Sequence, residues 1–310
     1  MLINKHYQTQ KAIICTIFTM LFCSACQTTH TTEKDITQII KQDTTAINYK
    51  KMAFVAAGLN TFGNNNGYPA EKPSFEAYTK SFYLDTVPVT IADFKAFIQA
   101  TNYKTDAEKF GNALVFLYEK KKWELLDYAN WQFPLGDTLR YAPLNHPVTQ
   151  VSWRDASAYC YWKKKRLPSE IEWEHAAKNA KNEPQQYTWG NELQVNKQVM
   201  ANTWQGYFPQ KNTLEDGFLY TSPVGYFPKN KIGLYDMAGN VWEWCSDDFI
   251  NHYERNDNKV AENEVTKTIK GGSFLCDLKW CHNFRTSSRQ GVTSETSSFH
   301  IGFRCACDMP

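Results

Sequence analysis

Two cysteines with four residues between them offer the clearest chemistry in this sequence. They are Cys276 and Cys281, in the stretch GGSFLCDLKWCHNF. Residues five positions apart lie about 140° apart around an α-helix and on opposite faces of a β-strand, so neither element brings the sulfur atoms together. If the thiols act together the segment must bend, and Gly271-Gly272 permits a bend. A short structural disulfide, a redox pair and a two-thiolate metal site are all open at this point.

A second group of residues offers ligands for a harder cation. The segment DMAGNVWE places Asp236 and Glu243 seven positions apart, with Gly239-Asn240 turning the chain between them. Backbone carbonyls and the two carboxylates can then face one cation such as Ca2+. The spacing is not that of an EF-hand, and acidic residues beside a Gly-Asn turn are otherwise simply solvated.

The composition is that of a globular protein. The 310 residues, 42% hydrophobic and 15% aromatic, supply enough apolar side chains for a core. The 34 basic and 32 acidic residues give a net charge of +2 without a basic block interleaved with aromatic residues, so we expect no nucleic-acid partner. Short apolar runs are separated by Trp, Tyr, Gly, Pro and Asn, which favours an irregular α+β single domain with low regular secondary structure.

The N-terminus has the pattern of an export signal. Lys5 and Lys11 precede the apolar run AIICTIFTMLF, which is too short to span a bilayer and long enough for a signal-peptide core. The next residues, CSACQTT, resemble the lipidation site of bacterial lipoproteins, with Cys26 as the lipidated residue. Cys23 stands where such sites usually carry an aliphatic residue, and ordinary signal cleavage nearby is the alternative.

These patterns divide the chain into three parts. Residues 1–25 are predicted to be the signal peptide, residues 26–51 a lipidated polar tether and residues 52–310 the folded domain. Export also places the cysteines in an oxidising compartment. We therefore expect a membrane-anchored lipoprotein in the periplasm or cell envelope.

Local signals place three helices in the domain. VTIADFKAFIQAT begins after the N-cap residue Thr90, and LPSEIEWEHAAK begins with a capping box of Ser169 and Glu172. SWRDASAYCYWKKK carries Cys160 on its apolar face, which predicts a buried cysteine.

A series of motifs in this order resembles the formylglycine-generating enzymes, the sulfatase-modifying factor family. The motifs are HPVTQVSWRDASAYCYW, KRLPSEIEWEHAAK, YTWGN, ANTWQGYFP, EDGF, GLYDMAGNVWEW, KGGSFLC and GFRCACD. The resemblance covers about residues 52 to 308. RLPSEIEWE and GNVWEW are common to a wider, C-type-lectin-like superfamily with non-enzymatic members, so the specific motif is the cysteine pair in GGSFLCDLKWC.

The resemblance implies a copper-dependent oxidase. In the family, two cysteines at this spacing bind Cu(I), and the enzyme uses O2 to oxidise a sulfatase cysteine in the motif Cys-x-Pro-x-Arg to Cα-formylglycine. The matching residues here are Cys276 and Cys281, and soft thiolates do select Cu(I). Ser273 and Trp242 match residues that line the place where oxygen and the substrate sulfur meet. A hydroxyl that stabilises the turn and a core indole are their alternative roles.

The resemblance also implies structural Ca2+ at two sites. The matching residues of the first site are Asn202, Thr203, Asp216 and Phe218, and those of the second are Asp236, Gly239, Val241 and Glu243. Asp236 stands where relatives carry Asn in some cases. It keeps the ligand oxygen and adds a charge.

The family pattern further pairs Cys160 with Cys305 in a disulfide. In the chain-entropy model a link over so long a loop stabilises by roughly 5 kcal/mol, against about 2 for the loop between Cys276 and Cys281. A second disulfide of the better-studied members is missing, because Ala177 and Thr286 occupy its positions. Two further cysteines of the domain have no assigned counterpart, namely Cys245 and Cys307.

Three functions follow from these patterns. The first is a monomeric, exported, lipid-anchored copper oxidase that acts on sulfatase polypeptides. The second is a catalytically silent superfamily member that serves as a surface binding or assembly module, although such members usually lack the two thiols. The third is a sulfoxide synthase with non-haem iron, which needs an added His-rich helical domain for which residues 27–50 are too short.

Overall fold

The computed structural model describes residues 46–251, 253, 266–279 and 281–310. The predicted signal peptide, the lipidation residue Cys26 and most of the predicted tether lie outside these residues. The helices are α1 (Ile91–Thr101), α2 (Asp106–Phe110), α3 (Trp153–Trp162) and α4 (Glu170–Ala177). The strands are β1 (Met52–Val55), β2 (Gly58–Phe62), β3 (Phe75–Thr79), β4 (Phe82–Asp85), β5 (Asn112–Leu117), β6 (Lys122–Asp127), β7 (Gly206–Tyr207), β8 (Lys211–Asn212), β9 (Trp242–Asp248), β10 (Thr266–Lys270), β11 (Arg289–Thr293), β12 (Ile301–Gly302) and β13 (Ala306–Asp308).

The three predicted helices are confirmed, and their N-terminal caps explain where they begin. The hydroxyl of Thr90 accepts the Asp93 amide at the start of α1. Ser169 and Glu172 form the predicted capping box of α4. The short helix α2 was not predicted, although Thr105 caps it in the same way.

The strands form small, mostly antiparallel sheets. One sheet has the order β1-β4-β13, and another has the order β11-β10-β9-β12, in which β12 runs parallel to β9. The remaining strands pair as hairpins β2-β3, β5-β6 and β7-β8. The predicted class, an irregular α+β domain with short elements, is therefore confirmed.

Helix α4 packs its buried face against the first sheet and β9. Trp173 and Ala176 of this helix pack with Val55, Leu84 and Cys245 in one apolar cluster. The Trp173 side chain is fully buried. Its location fixes α4 between the two sheets.

A second apolar cluster holds the cysteine-bearing segment in place. Phe274 and Leu275 pack against Val115 and Phe116 of the β5-β6 hairpin and against Phe299. Because Leu275 immediately precedes Cys276, this packing sets the position of the first thiol.

The boundary at residue 52 stays a prediction. Strand β1 begins at Met52, and a 3₁₀ turn at Tyr49–Lys51 precedes it.

Within the described residues, none of the helices has the length and apolar character needed to cross a bilayer.

Candidate active site

The thiols of Cys276 and Cys281 meet in the connection between β10 and β11. Their Sγ atoms are 2.9 Å apart. The amide of Cys276 donates to the carbonyl of Ser273 at 2.9 Å, and the amide of Cys281 donates to Asp277 Oδ1 at 3.1 Å. The segment bends through turns, as predicted, and neither a helix nor a strand presents the sulfur atoms.

Two glycines make this bend possible. Gly271 and Gly272 adopt φ values of 93° and 72°, a region that favours glycine. A Cβ on Gly272 would lie 2.8 Å from the amide nitrogen of Phe284. Glycine therefore lets the backbone that follows Cys281 pack against the backbone that precedes Ser273.

The two thiols differ in electrostatic environment. Burial raises the pKa of the Cys276 thiol well above its ordinary value. The pKa of Cys281 is lowered, because the Cys276 thiol donates to its sulfur and the Asn283 amide does so as well. The Asn283 Nδ2 to Cys281 Sγ distance is 3.1 Å. These environments favour the protonated thiol at Cys276 and the thiolate at Cys281, and both sulfur atoms are soft ligands.

Ser273 lies beside the first thiol. Its backbone amide donates to Cys276 Sγ at 3.4 Å. Its hydroxyl accepts the amide of Leu275 at 3.3 Å, so the side chain also stabilises the turn. The structure brings Ser273 into contact with Cys276, whose sulfur lies beside that of Cys281.

Trp242 lies on the neighbouring strand. It is the first residue of β9 and is 2% exposed. The carbonyl of Asn240, two residues earlier, accepts the amide of Phe274 at 3.0 Å. The start of β9 therefore runs along the thiol segment with the Trp242 indole buried.

A cavity of about 190 Å³ opens beside the thiol segment. The amide of Trp204 donates to the carbonyl of Cys276 at 2.9 Å, which joins the cavity wall to the first thiol. The wall is mostly apolar and aromatic with one carboxylate, and it includes Trp189, Leu193, Met200, Trp204, Glu215, Leu278 and Phe284.

Sequence reasoning missed several residues around the thiols. Asn283 was not singled out, although its place two residues after Cys281 was a signal. Tyr187 and His282 were also missed, and Tyr187 Oη is 2.7 Å from His282 Nε2. Tyr187 stacks on Trp189 with ring centroids 5.0 Å apart. No local sequence pattern joins Tyr187 to His282.

The residues of the first predicted Ca2+ site lie together. Asp216 accepts the amides of Thr203 at 3.1 Å and Phe218 at 2.9 Å. Burial raises the pKa of the Asp216 carboxyl. Asn202 Oδ1 is buried and has no hydrogen-bond partner within the described part of the chain. Asn202 directly precedes Thr203, and an orphaned buried oxygen there, together with the buried Asp216 carboxylate, fits a hard cation.

The second predicted Ca2+ site adjoins the first. A Cβ on Gly239, whose φ is 72°, would strike the Asn202 carbonyl oxygen. Asp236 Oδ2 accepts the amide of Gly225 at 2.6 Å. Burial raises the pKa of Asp236 to about 6. Val241 is buried beside this turn.

Glu243 of the second site is already paired. Arg304 Nε and Nη2 each donate to its carboxylate at 2.7 Å. The indole of Trp173 donates to the same carboxylate at 2.7 Å. These three hydrogen bonds occupy much of the accepting capacity of the two carboxylate oxygens, which leaves less of it for a cation. The first site therefore fits Ca2+ better than the second.

The other cysteines of the described residues are Cys160, Cys245, Cys305 and Cys307, and all four are thiols in this structure. Cys160 and Cys305 are buried with Sγ atoms 3.0 Å apart, and their disulfide stays a prediction. Cys245 is fully buried, and burial raises its pKa well above the ordinary value. Cys307 Sγ lies 3.9 Å from Tyr49 Oη.

Across the described residues, no group of three or more His, Cys, Asp or Glu side chains is placed so that it could hold a metal ion.

Comparison with known proteins agrees with this geometry. The sulfatase-modifying factor enzyme 1-like domain matches residues 37–309. The chain is 40% identical to the formylglycine-generating enzyme of Mus musculus, over 83% of this chain and 75% of that protein. It is 38% identical to the inactive Cα-formylglycine-generating enzyme 2 of Bos taurus, over 78% and 82%. PvdO from Pseudomonas aeruginosa shares the fold, with a TM-score of 0.61 and 24% identity over 83% of this chain and 94% of that one. The chain therefore belongs to the formylglycine-generating enzyme family.

Proposed function

We propose that this protein oxidises a cysteine of a sulfatase to Cα-formylglycine. The observation that carries this proposal is the pair of adjoining thiols, Cys276 and Cys281, beside an aromatic cavity. Relatives named for this activity support it. The two thiols also argue against the silent binding module, which stays the second candidate because an inactive relative is 38% identical.

Cys276 and Cys281 would hold Cu(I) through their sulfur atoms. Two neighbouring cysteines suit Cu(I), which would bind both as soft thiolates, and a low-coordinate site would leave room for a third sulfur ligand from the substrate. The bound metal would supply a place for the reaction of O2 with the substrate. Asn283 orients the Cys281 sulfur through its amide, and Ser273 keeps the turn of Cys276 in place.

The proposed reaction balances with a thiol reductant. The thiol-bearing methylene of the substrate cysteine loses its sulfur as hydrogen sulfide and becomes an aldehyde. Two electrons come from the substrate and two from the oxidation of two reductant thiols to a disulfide. One O2 accepts these electrons, with one oxygen atom appearing in net terms in the aldehyde and the other in water.

A peptide assay tests the proposal. The purified protein, Cu(I), O2 and a thiol reductant are incubated with a Cys-x-Pro-x-Arg peptide, and mass spectrometry detects conversion of the cysteine side chain to the aldehyde. We expect the aldehyde with this peptide and none when Ser replaces its Cys. Intact peptide after full copper loading would contradict the proposal and favour the silent binding module.

We also propose that Ca2+ stabilises the domain at the site of Asn202, Thr203, Asp216 and Phe218, and more weakly at Asp236, Gly239, Val241 and Glu243. At a free Ca2+ concentration roughly 100 times Kd, one site adds about 2.7 kcal/mol to the free energy of unfolding. A chelator should lower the melting temperature and Ca2+ should restore it. Asp216→Asn should reduce this response, because it removes the charge of the ligand. A melting temperature indifferent to both reagents would count against both sites.

The cellular setting is proposed from the sequence. We propose an exported, monomeric lipoprotein that is anchored through Cys26 and meets sulfatase polypeptides in the cell envelope. Metabolic labelling with a fatty acid should mark the wild type and not Cys26→Ala. Label that persists in Cys26→Ala would contradict the anchor.

A further inference from the structure

A buried ion pair connects the thiol segment to the N-terminal part of the domain. Glu71 and Arg285 are 214 positions apart, and their side chains are 1% and 9% exposed. Arg285 Nη1 and Nη2 donate to the two oxygens of Glu71 at 2.9 and 2.5 Å. This two-bond geometry fixes the guanidinium in the plane of the carboxylate.

The third nitrogen of the same guanidinium reaches the thiol segment. Arg285 Nε donates to the carbonyl oxygen of His282 at 2.8 Å, and His282 directly follows Cys281. One planar group therefore ties the peptide beside the second thiol to a carboxylate from a distant part of the chain. A lysine could not make these three bonds at once.

Glu71 is itself held rigidly. Ser287 Oγ donates to Glu71 Oε2 at 2.7 Å, and the amide of Tyr68 donates to Oε1 at 3.0 Å. The Arg285 guanidinium also lies over the Tyr68 ring, 5.1 Å from its centroid. The carboxylate is thus a fixed anchor for Arg285.

We propose that Glu71 and Arg285 are positioning residues that keep the sulfur of Cys281 beside that of Cys276. Local bonds hold the two ends of the turn, through Asp277 and Asn283. The ion pair adds the link from the turn to the rest of the domain. Partners that orient metal ligands typically change metal affinity by about 10- to 100-fold when removed.

The chain offers a variant that moves the carboxylate without changing either charged residue. A Cβ on Gly67 would strike the Glu71 carboxylate, which is the flexible end of a side chain. Gly67 itself has no positive φ, so the backbone accepts alanine there. Gly67→Ala should therefore displace the carboxylate from Arg285 without straining the backbone, and its cost in stability is that of separating the buried pair. Glu71→Gln removes the charge directly.

Glu170→Gln is a matched control. Glu170 forms an equally buried pair with Arg289, at 2.5 and 2.9 Å. Arg289 donates its remaining bonds to the carbonyls of Ala70 and Ile250, and not to the turn of Cys281. Loss of this pair should lower stability without moving the thiols.

Two measurements report on the thiols apart from activity. One is the Cu(I) affinity in competition with bicinchoninate, and the other is the affinity of the metal-free protein for phenylarsine oxide, which bridges neighbouring thiols. Gly67→Ala and Glu71→Gln should each weaken both affinities by about 10- to 100-fold. Glu170→Gln should lower the melting temperature and leave both affinities unchanged.

Unchanged affinities in Gly67→Ala and Glu71→Gln would overturn the proposal, as would an equal loss in Glu170→Gln. If Glu71→Gln does not fold, Gly67→Ala and Arg285→Lys decide the result in the same assays. The inference rests on the proposed function for its metal. A wild type that binds the arsenical and no Cu(I) would contradict that function, while the arsenical comparison would still decide the positioning role.

Discussion

Replacing either Cys276 or Cys281 by serine is expected to abolish copper loading and peptide oxidation while the domain stays folded. A serine hydroxyl is a hard, protonated oxygen at neutral pH, whereas Cu(I) prefers soft thiolates. The buried site tolerates the change, because the Ser273 amide that donates to Cys276 Sγ can donate to a hydroxyl as well. Copper stoichiometry, melting temperature and peptide turnover on the three proteins check this result.

Cys245→Ser is the matched control for these variants. The Cys245 thiol is as buried as that of Cys276, but it lies on β9 in the apolar cluster under α4. A buried hydroxyl there should cost about 1–3 kcal/mol of stability and leave copper stoichiometry intact. Full copper loading with full turnover in either thiol variant would defeat the copper-oxidase proposal. So would equal turnover by wild type after its copper has been stripped.

The sequence could predict features whose causes are local. A capping box needs residues three apart, so the start of α4 at Ser169 was readable from the sequence. The bend before Cys276 was readable for the same reason, because Gly271-Gly272 adopts conformations that other residues avoid. Whether the two thiols meet stayed conditional in the sequence, because the bend was required only if they act together.

Features that depend on distant contacts could not be predicted in this way. The link between Glu71 and Arg285 spans 214 positions, and neither residue stands in a pattern that marks a partner. The near-neutral balance of 34 basic and 32 acidic residues bears on partners and does not show which charges are buried. The structure buries Lys270 and Glu174 as an ion pair in the interior. Such pairs become visible only when the fold brings the elements together.

Arg304→Met is expected to lower the free energy of unfolding by roughly 3–5 kcal/mol, because it leaves a buried carboxylate without its cation. Arg304 and Glu243 are 0% and 1% exposed, with Nε and Oε2 2.7 Å apart. Arg304 also donates to the carbonyls of Tyr235 and Asp85, which would lose a donor. Methionine replaces the aliphatic part of the arginine side chain but not the guanidinium, so the loss combines charge, hydrogen bonding and a small cavity.

Urea unfolding in the presence of a chelator measures this effect apart from any Ca2+ bound through Glu243. Adding Glu243→Gln to Arg304→Met should recover part of the loss, because it removes the uncompensated charge and still accepts the Trp173 indole. The control is Glu124→Gln in the exposed pair of Glu124 with Lys120, which should leave stability nearly unchanged because solvent screens that pair. If Arg304→Met changed the free energy of unfolding as little as this surface control, the prediction that the buried pair stabilises the domain would be wrong. A double variant less stable than Arg304→Met would show that the negative charge was not the source of the loss.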